Sequence, residues 1–350
     1  MYYSTLWYSP NPLILRYQQE FLEKLRKLWE RNIDIHIPED EFLLFPDIHG
    51  LLLTSVRQKN PLVWEYSTIL RWEHDKYIDK QNLIHDHEKI PWTNIVLTLD
   101  FYNPGIVIPN HPDHKKNNIQ VTFGNKTPEE WRVLFAQSFD IVRRVSPWFM
   151  GEIDLIIRKV IPLDVSYGVH NSGSYSDFIG HLVMSYPTGI DHPELALLEA
   201  ILHEYNHNKL NLILQTKNLI LNDHREIYYS PYRPDARHIQ WIYLGVHAIL
   251  WAFWVMWNAH ISWIIQLPNN WQEKSALFVL KNWLSFQVLD KYGLFTAQGK
   301  EILEEMRLVH AECLWFLRQA NLSKEMLARV KTTLQLHHEQ VQKQYPGLRS

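Results

Sequence analysis

Apolar residues recur with helical spacing over "PLILRYQQEFLEKLRKLW" (12–29), where Leu, Phe and Trp alternate in threes and fours with charged positions. The spacing predicts an amphipathic helix there. Runs rich in Val, Ile, Leu, Phe and Thr at 94–101, 118–123, 153–164 and 178–186 are bounded by Asn, Gly or Pro and read as strands. Between them, "TPEEWRVLFAQSFDIVRRV" opens with Thr127, Pro128 and Glu130. This is the signature of a capping box with proline at the first helical position.

From Asp191 onward the pattern is helical almost to the end. Two long segments, about 192–221 and 236–265, are joined by the Pro- and Tyr-rich "NDHREIYYSPYRPDAR", in which Asp235 is placed to cap the second. Further helices are expected near 271–292, 297–319 and 323–344. The fold class that follows is α+β, mainly helical, with a sheet-containing N-terminal half packed on a helical C-terminal half. No repeat marks a hard boundary. The division expected is a mixed region, 1–126, and a mostly helical catalytic region, 127–350, in one compact unit.

Composition narrows the class. The chain has 350 residues, 46% hydrophobic and 13% aromatic, enough for a large core and far from disordered composition. A formal net charge of -3, with no basic stripe, argues against nucleic acid as a partner. The single cysteine, Cys313, excludes an internal disulfide, and the N-terminus lacks a secretory pattern, so a reducing cytoplasm is expected. "WIYLGVHAILWAFWVMW" (241–257) is apolar but short for a membrane span and has no companion. The expectation is a buried helix and no membrane.

The chemistry centres on "HEYNH" at 203–207, inside "LALLEAILHEYNHNKLNLIL". Residues four apart share a helix face, so His203 and His207 can offer two imidazoles to one ion, with Glu204 beside them as base, ligand or supporting residue. Leu195, Leu198, Ile201, Leu202, Leu210 and Leu214 supply the apolar phase of that helix. The alternative is two histidines on an amphipathic helix with no ion between them. If the helices turn near 221 and 236, His207 lies ~21 Å before the turn and His247 ~17 Å after it. In an antiparallel pair these heights are similar, so His247 is the preferred third ligand, against a hydrogen-bonded core histidine.

Two zinc-protease patterns test the motif. The extended form requires Gly and His where Leu210 and Ile213 stand. A glutamate ligand downstream, Glu226, requires the helix to end well before Leu221. "HPDH" (111–114) contains a His-x-Asp pair of the kind used by iron oxygenases, but lies in a Pro- and Asn-rich loop where such residues also serve turns. Arg233 and Arg237 can clamp a carboxylate bidentately, or can be satisfied by Asp223, Asp235 or helix-end carbonyls.

"HEYNHNKLNLIL", "YYSPYRPDAR" and "GVHA" together resemble the HExxH-motif family of 2-oxoglutarate-dependent peptide β-hydroxylases, which are encoded with ribosomally made, modified peptides. His203, Glu204, His207, Lys209 and Leu210 match its first motif. Tyr228, Tyr229, Pro231, Arg233, Asp235 and Arg237 match its second, with Tyr232 in place of Trp. Ala236 and His238 stand for prolines, and Leu244 for a histidine three residues before His247. The resemblance covers about 190–260.

It implies Fe(II) on His203, His207 and His247, with 2-oxoglutarate and O2 in the open positions of a facial site. It also implies a precursor peptide as substrate and a hydroxylated side-chain β-carbon as product. Arg233 and Arg237 would hold the cosubstrate, with Lys209 and Tyr228 as further candidates, and Glu204 would be the catalytic carboxylate. An arginine for the far carboxylate is needed only by this oxygenase; a zinc metallopeptidase would instead use its metal to activate water.

Overall fold

The computed structural model describes residues 12–32, 40–44, 47–50, 52–53, 89–99, 120–165, 170–268, 270–320 and 322–348. The chain divides into two compact units, Met1–Thr216 and Lys217–Ser350. The class is α+β and mainly helical: the sheet lies in the first unit, and the second carries helices.

In the first unit, α1 (Pro12–Asn32) and the short α2 (Asp40–Leu43) precede β1 (Val96–Leu97) and β2 (Gln120–Val121). Then come α3 (Pro128–Val145), α4 (Pro147–Ile156), β3 (Lys159–Asp164), β4 (Ser172–Tyr175), β5 (Phe178–Ser185) and α5 (Pro193–Thr216). α3 begins as its residues dictate. The Glu130 N–H donates to Thr127 Oγ1 at 3.2 Å, and the Thr127 N–H donates to Glu130 Oε2 at 2.8 Å, closing the capping box. Its inner face buries Trp131, Leu134, Phe135 and Phe139, each contributing about 1.5–3 kcal/mol by leaving water.

β3 is the centre of the sheet. It runs parallel to β5 along one side; along the other, β1 pairs with its start and β2, antiparallel, with its end. β4 is antiparallel to β5 and terminates the order β1-β3-β5-β4. All eight residues of β5 are buried, as in a sheet covered on both faces.

Three expectations need correcting here. Residues 153–156, expected in a strand, complete α4, and the strand starts only at Lys159. β4 was not expected at all, because "SGSY" is short and carries no apolar alternation. The described parts of 94–101 and 118–123 contribute only two-residue strands. The His-x-Asp pair at 111–114 lies outside the described residues.

α5 is the core helix of the first unit. Fifteen of its residues are buried, on nearly every side of the axis. Ala196, Glu199, His203, His207 and Leu214 fall on one stripe that stays partly exposed. The helix ends at Thr216, five residues before the expected Leu221.

The second unit packs α6 (Ile239–Ile261), α7 (Trp271–Tyr292), α8 (Ala297–Gln319) and α9 (Lys324–Gln344). The last three start and stop within a residue of the expected ranges. Ser323 and Thr296 cap α9 and α8 through their hydroxyls. Gly299 is required by a close approach: a Cβ there would meet the Leu219 carbonyl oxygen at 2.1 Å. α6 is long and apolar enough to cross a membrane, with mean hydropathy 1.5, but 72% of its most apolar window is buried, as in a core helix. Asp235 does not cap it. The cap residue is His238, whose ring bonds the Glu226 carbonyl at 2.9 Å rather than the helix end, and the Asp235 carboxylate pairs with Arg237.

Candidate metal centre

The α5 register brings the motif histidines together. His203 and His207 lie one turn apart, their Nε2 atoms 3.0 Å from each other and their rings edge to face. Burial first, and the neighbouring His203 second, push His207 well below the usual histidine range, so its imidazole is neutral and has a lone pair to give. Two imidazole nitrogens converging on one point suit a metal ion of the borderline or imidazole-binding class. Among the described residues, no group of three or more His, Cys, Asp or Glu side chains stands together as a complete metal site.

Glu204 is aimed elsewhere. It lies about 100° from His203 and about 60° from His207 around the helix axis, which turns it toward β4. Its two oxygens are each engaged: Ser172 Oγ donates to Oε1 at 2.8 Å, and Ser174 Oγ donates to Oε2 at 2.7 Å. The carboxylate is 5% exposed, so these bonds replace much of its lost hydration. Its charge acts on two further residues of the same segment. Tyr175 is pushed up to about 12, by burial first and Glu204 second. His170 is lowered by burial, against the opposing pull of Ser185 and Glu204.

Sequence reasoning missed His170, Ser172 and Ser174. The one available signal was the Ser-x-Ser spacing, which puts both hydroxyls on one face of a strand.

The rest of the motif holds the helix in place. Asn208 bridges α5 to β5, accepting from the Gly180 N–H at 2.6 Å and donating to the His181 carbonyl at 3.0 Å. Lys209 lies about 200° from His207, on the opposite side of the helix, and its ammonium pairs with Glu152 of α4 at 2.8 Å. Tyr205 donates to the same Glu152 oxygen at 2.7 Å.

The remaining candidates belong to the second unit. His247 is buried in α6. Tyr228 exchanges both backbone hydrogen bonds with Arg237, and its hydroxyl donates to Glu226 Oε2 at 2.6 Å. Tyr229 and Tyr232 anchor the same loop to α9 and α7, through His337 at 3.1 Å and Asn282 at 2.6 Å. Two of the loop's tyrosine hydroxyls thus tie it to helices, and the third bonds within the loop. Arg237 Nη2 donates to Asp235 Oδ1 at 3.3 Å while its Nε lies 2.8 Å from Oδ2 in an ion pair, and Arg233 Nε approaches the same carboxylate at 3.7 Å with its side chain 54% exposed. Of the two, Arg233 keeps more of its five donors for a ligand.

Compared with known proteins, the chain matches no family model and no curated sequence.

Proposed function

We propose that the chain is an Fe(II)- and 2-oxoglutarate-dependent oxygenase that hydroxylates a side-chain β-carbon in a ribosomally made precursor peptide. The observation that carries this reading is the division of labour on α5: His203 and His207 converge while Glu204 is turned away to β4. The two Nε2 atoms lie at hydrogen-bond distance, 3.0 Å, so both rings already face one point. His247, the third ligand that the resemblance implies, belongs to the second unit.

Bound iron would supply the oxidative decarboxylation of 2-oxoglutarate to succinate and CO2, with one oxygen atom of O2 passing into a C–H bond of the peptide. The chain's own part is to bind and orient. His203 and His207 present imidazole donors from a helix held by Asn208 and Lys209. Arg233, on a loop stiffened by Pro231, Pro234 and two tyrosine anchors, is the arginine that the resemblance implies for the distal carboxylate of the cosubstrate. A peptidase would need Glu204 to take a proton from metal-bound water, and Ser172 and Ser174 draw it from that task. The reducing cytoplasm suits the iron site and the lone, buried Cys313.

The test is anaerobic reconstitution with Fe(II) followed by 2-oxoglutarate. A weak visible charge-transfer band, and succinate on admission of O2, are expected. Tight zinc binding with peptide cleavage and no succinate would overturn the proposal.

A further inference from the structure

Glu204 is the nearest carboxylate in sequence to both histidines, about 60° around the helix from His207. A bound divalent cation would attract it strongly, yet its side chain points to β4. Ser172 and Ser174 of that strand each give a hydroxyl proton to a different oxygen of the same carboxylate. β4 pairs with β5 at Ser172↔Met184, Gly173↔Val183 and Tyr175↔Phe178, and the register shifts between Gly173 and Tyr175, so Ser174 sits at an irregularity in the ladder. Both donors thus belong to a strand hydrogen-bonded to the buried β5.

We infer that Ser172 and Ser174 are positioning residues that hold Glu204 out of the metal's coordination sphere, so that the motif helix supplies two ligands rather than three. This rests on the proposal that His203 and His207 bind a metal. The physical logic is competition. A buried carboxylate stripped of its hydroxyl donors is under-satisfied, and the metal becomes its best remaining partner. Kept on β4, it leaves a coordination position open for a bidentate acid or O2. It also leaves the ion's positive charge uncompensated by a carboxylate ligand, which favours an anionic cosubstrate.

The probe is Co(II), whose d–d absorption reports coordination, titrated into the intact chain. Wild type should bind Co(II), and His203→Ala should lose it. Ser172→Ala/Ser174→Ala should bind Co(II) at least fivefold more tightly with an altered d–d spectrum. Adding Glu204→Gln to that pair should restore the wild-type spectrum, and Ser172→Thr/Ser174→Thr, which keeps both hydroxyls, should retain it. Should the double alanine variant not fold, each single alanine variant frees one oxygen and should shift the spectrum by a smaller amount.

An unchanged spectrum and affinity in the serine-to-alanine variants, with binding still lost in His203→Ala, overturns the positioning role alone. Co(II) binding that is absent, or indifferent to His203→Ala, overturns the metal reading and this inference with it.

Discussion

Lys209 and Glu152 form an ion pair inside the first unit, Nζ to Oε2 at 2.8 Å, with Glu152 fully buried and Lys209 nearly so. One residue of the best-matched motif is therefore spent on holding α5 against α4. Removing one partner of such a pair strands the other charge and costs about 3–5 kcal/mol, whereas replacing both with apolar groups can be nearly neutral. Lys209→Met should lower the urea midpoint of the first unit sharply. Lys209→Met/Glu152→Met should recover much of the loss. A single variant as stable as wild type would show that the pair does not anchor the helix.

Metal binding should depend on the two histidines of α5. His203→Ala or His207→Ala should abolish stoichiometric Fe(II) binding in anaerobic dialysis followed by metal analysis, while circular dichroism stays unchanged. His247→Ala should weaken Fe(II) binding strongly and leave the helical signal intact. Full metal content in His247→Ala would remove it as the third ligand.

The two arginines should separate. Arg233→Met should raise the 2-oxoglutarate Kd by about 30-fold or more, the scale of losing a charge-assisted pair worth about 2–5 kcal/mol. Iron content should be unaltered. Arg237→Met removes the partner of Asp235 and a support of the 228–237 loop, so its first effect should be on stability. Anaerobic titration of the charge-transfer band and a urea series read the two outcomes separately. Equal cosubstrate affinity in Arg233→Met and wild type would place the anchor elsewhere.

A second buried cluster sets the response of the first unit to acid. Asp47 accepts from Lys159 Nζ at 2.6 Å and faces His181 Nε2 at 3.3 Å. Burial raises the Asp47 carboxyl, but Lys159 and His181 outweigh it and hold it far below the usual range. Its stabilising charge is thus kept down to strongly acid pH. The histidines behave oppositely. Burial first, and His181 second, push His49 down to about 3, and burial lowers His181 as well. The unfolded chain takes up these protons near pH ~6.5 while the folded chain refuses them, so stability falls as pH drops from ~6.5 toward 3. Each refused proton contributes about 1.4 kcal/mol per pH unit in that window. His49→Gln should flatten the pH dependence of the urea midpoint by about one such share. An unchanged slope would mean that His49 does not titrate on unfolding.

Local rules determined much of this protein. Thr127, Pro128 and Glu130 announced the start of α3, and the apolar periods at 271–292, 297–319 and 323–344 located α7, α8 and α9 to within a residue. The i, i+4 spacing of His203 and His207 placed both rings on one face of a helix. In each case the determining contacts are three or four residues apart, so the sequence carries them whole. The tertiary structure decided what depends on distant partners. Residues 153–156 are apolar enough for either state, and their place in α4 followed Ser146 and Pro147 rather than their own β-branched content. Asp235 could cap a helix or bind an arginine, and Arg237 took it. Lys209 could face a ligand or the core; Glu152, 57 residues away in sequence, drew it inward. Glu204 could turn to a metal or to β4, and two serine hydroxyls 32 and 30 residues upstream hold it on the strand. A buried polar group goes to whichever donor or charge the fold brings within hydrogen-bond reach, and no local period encodes that partner.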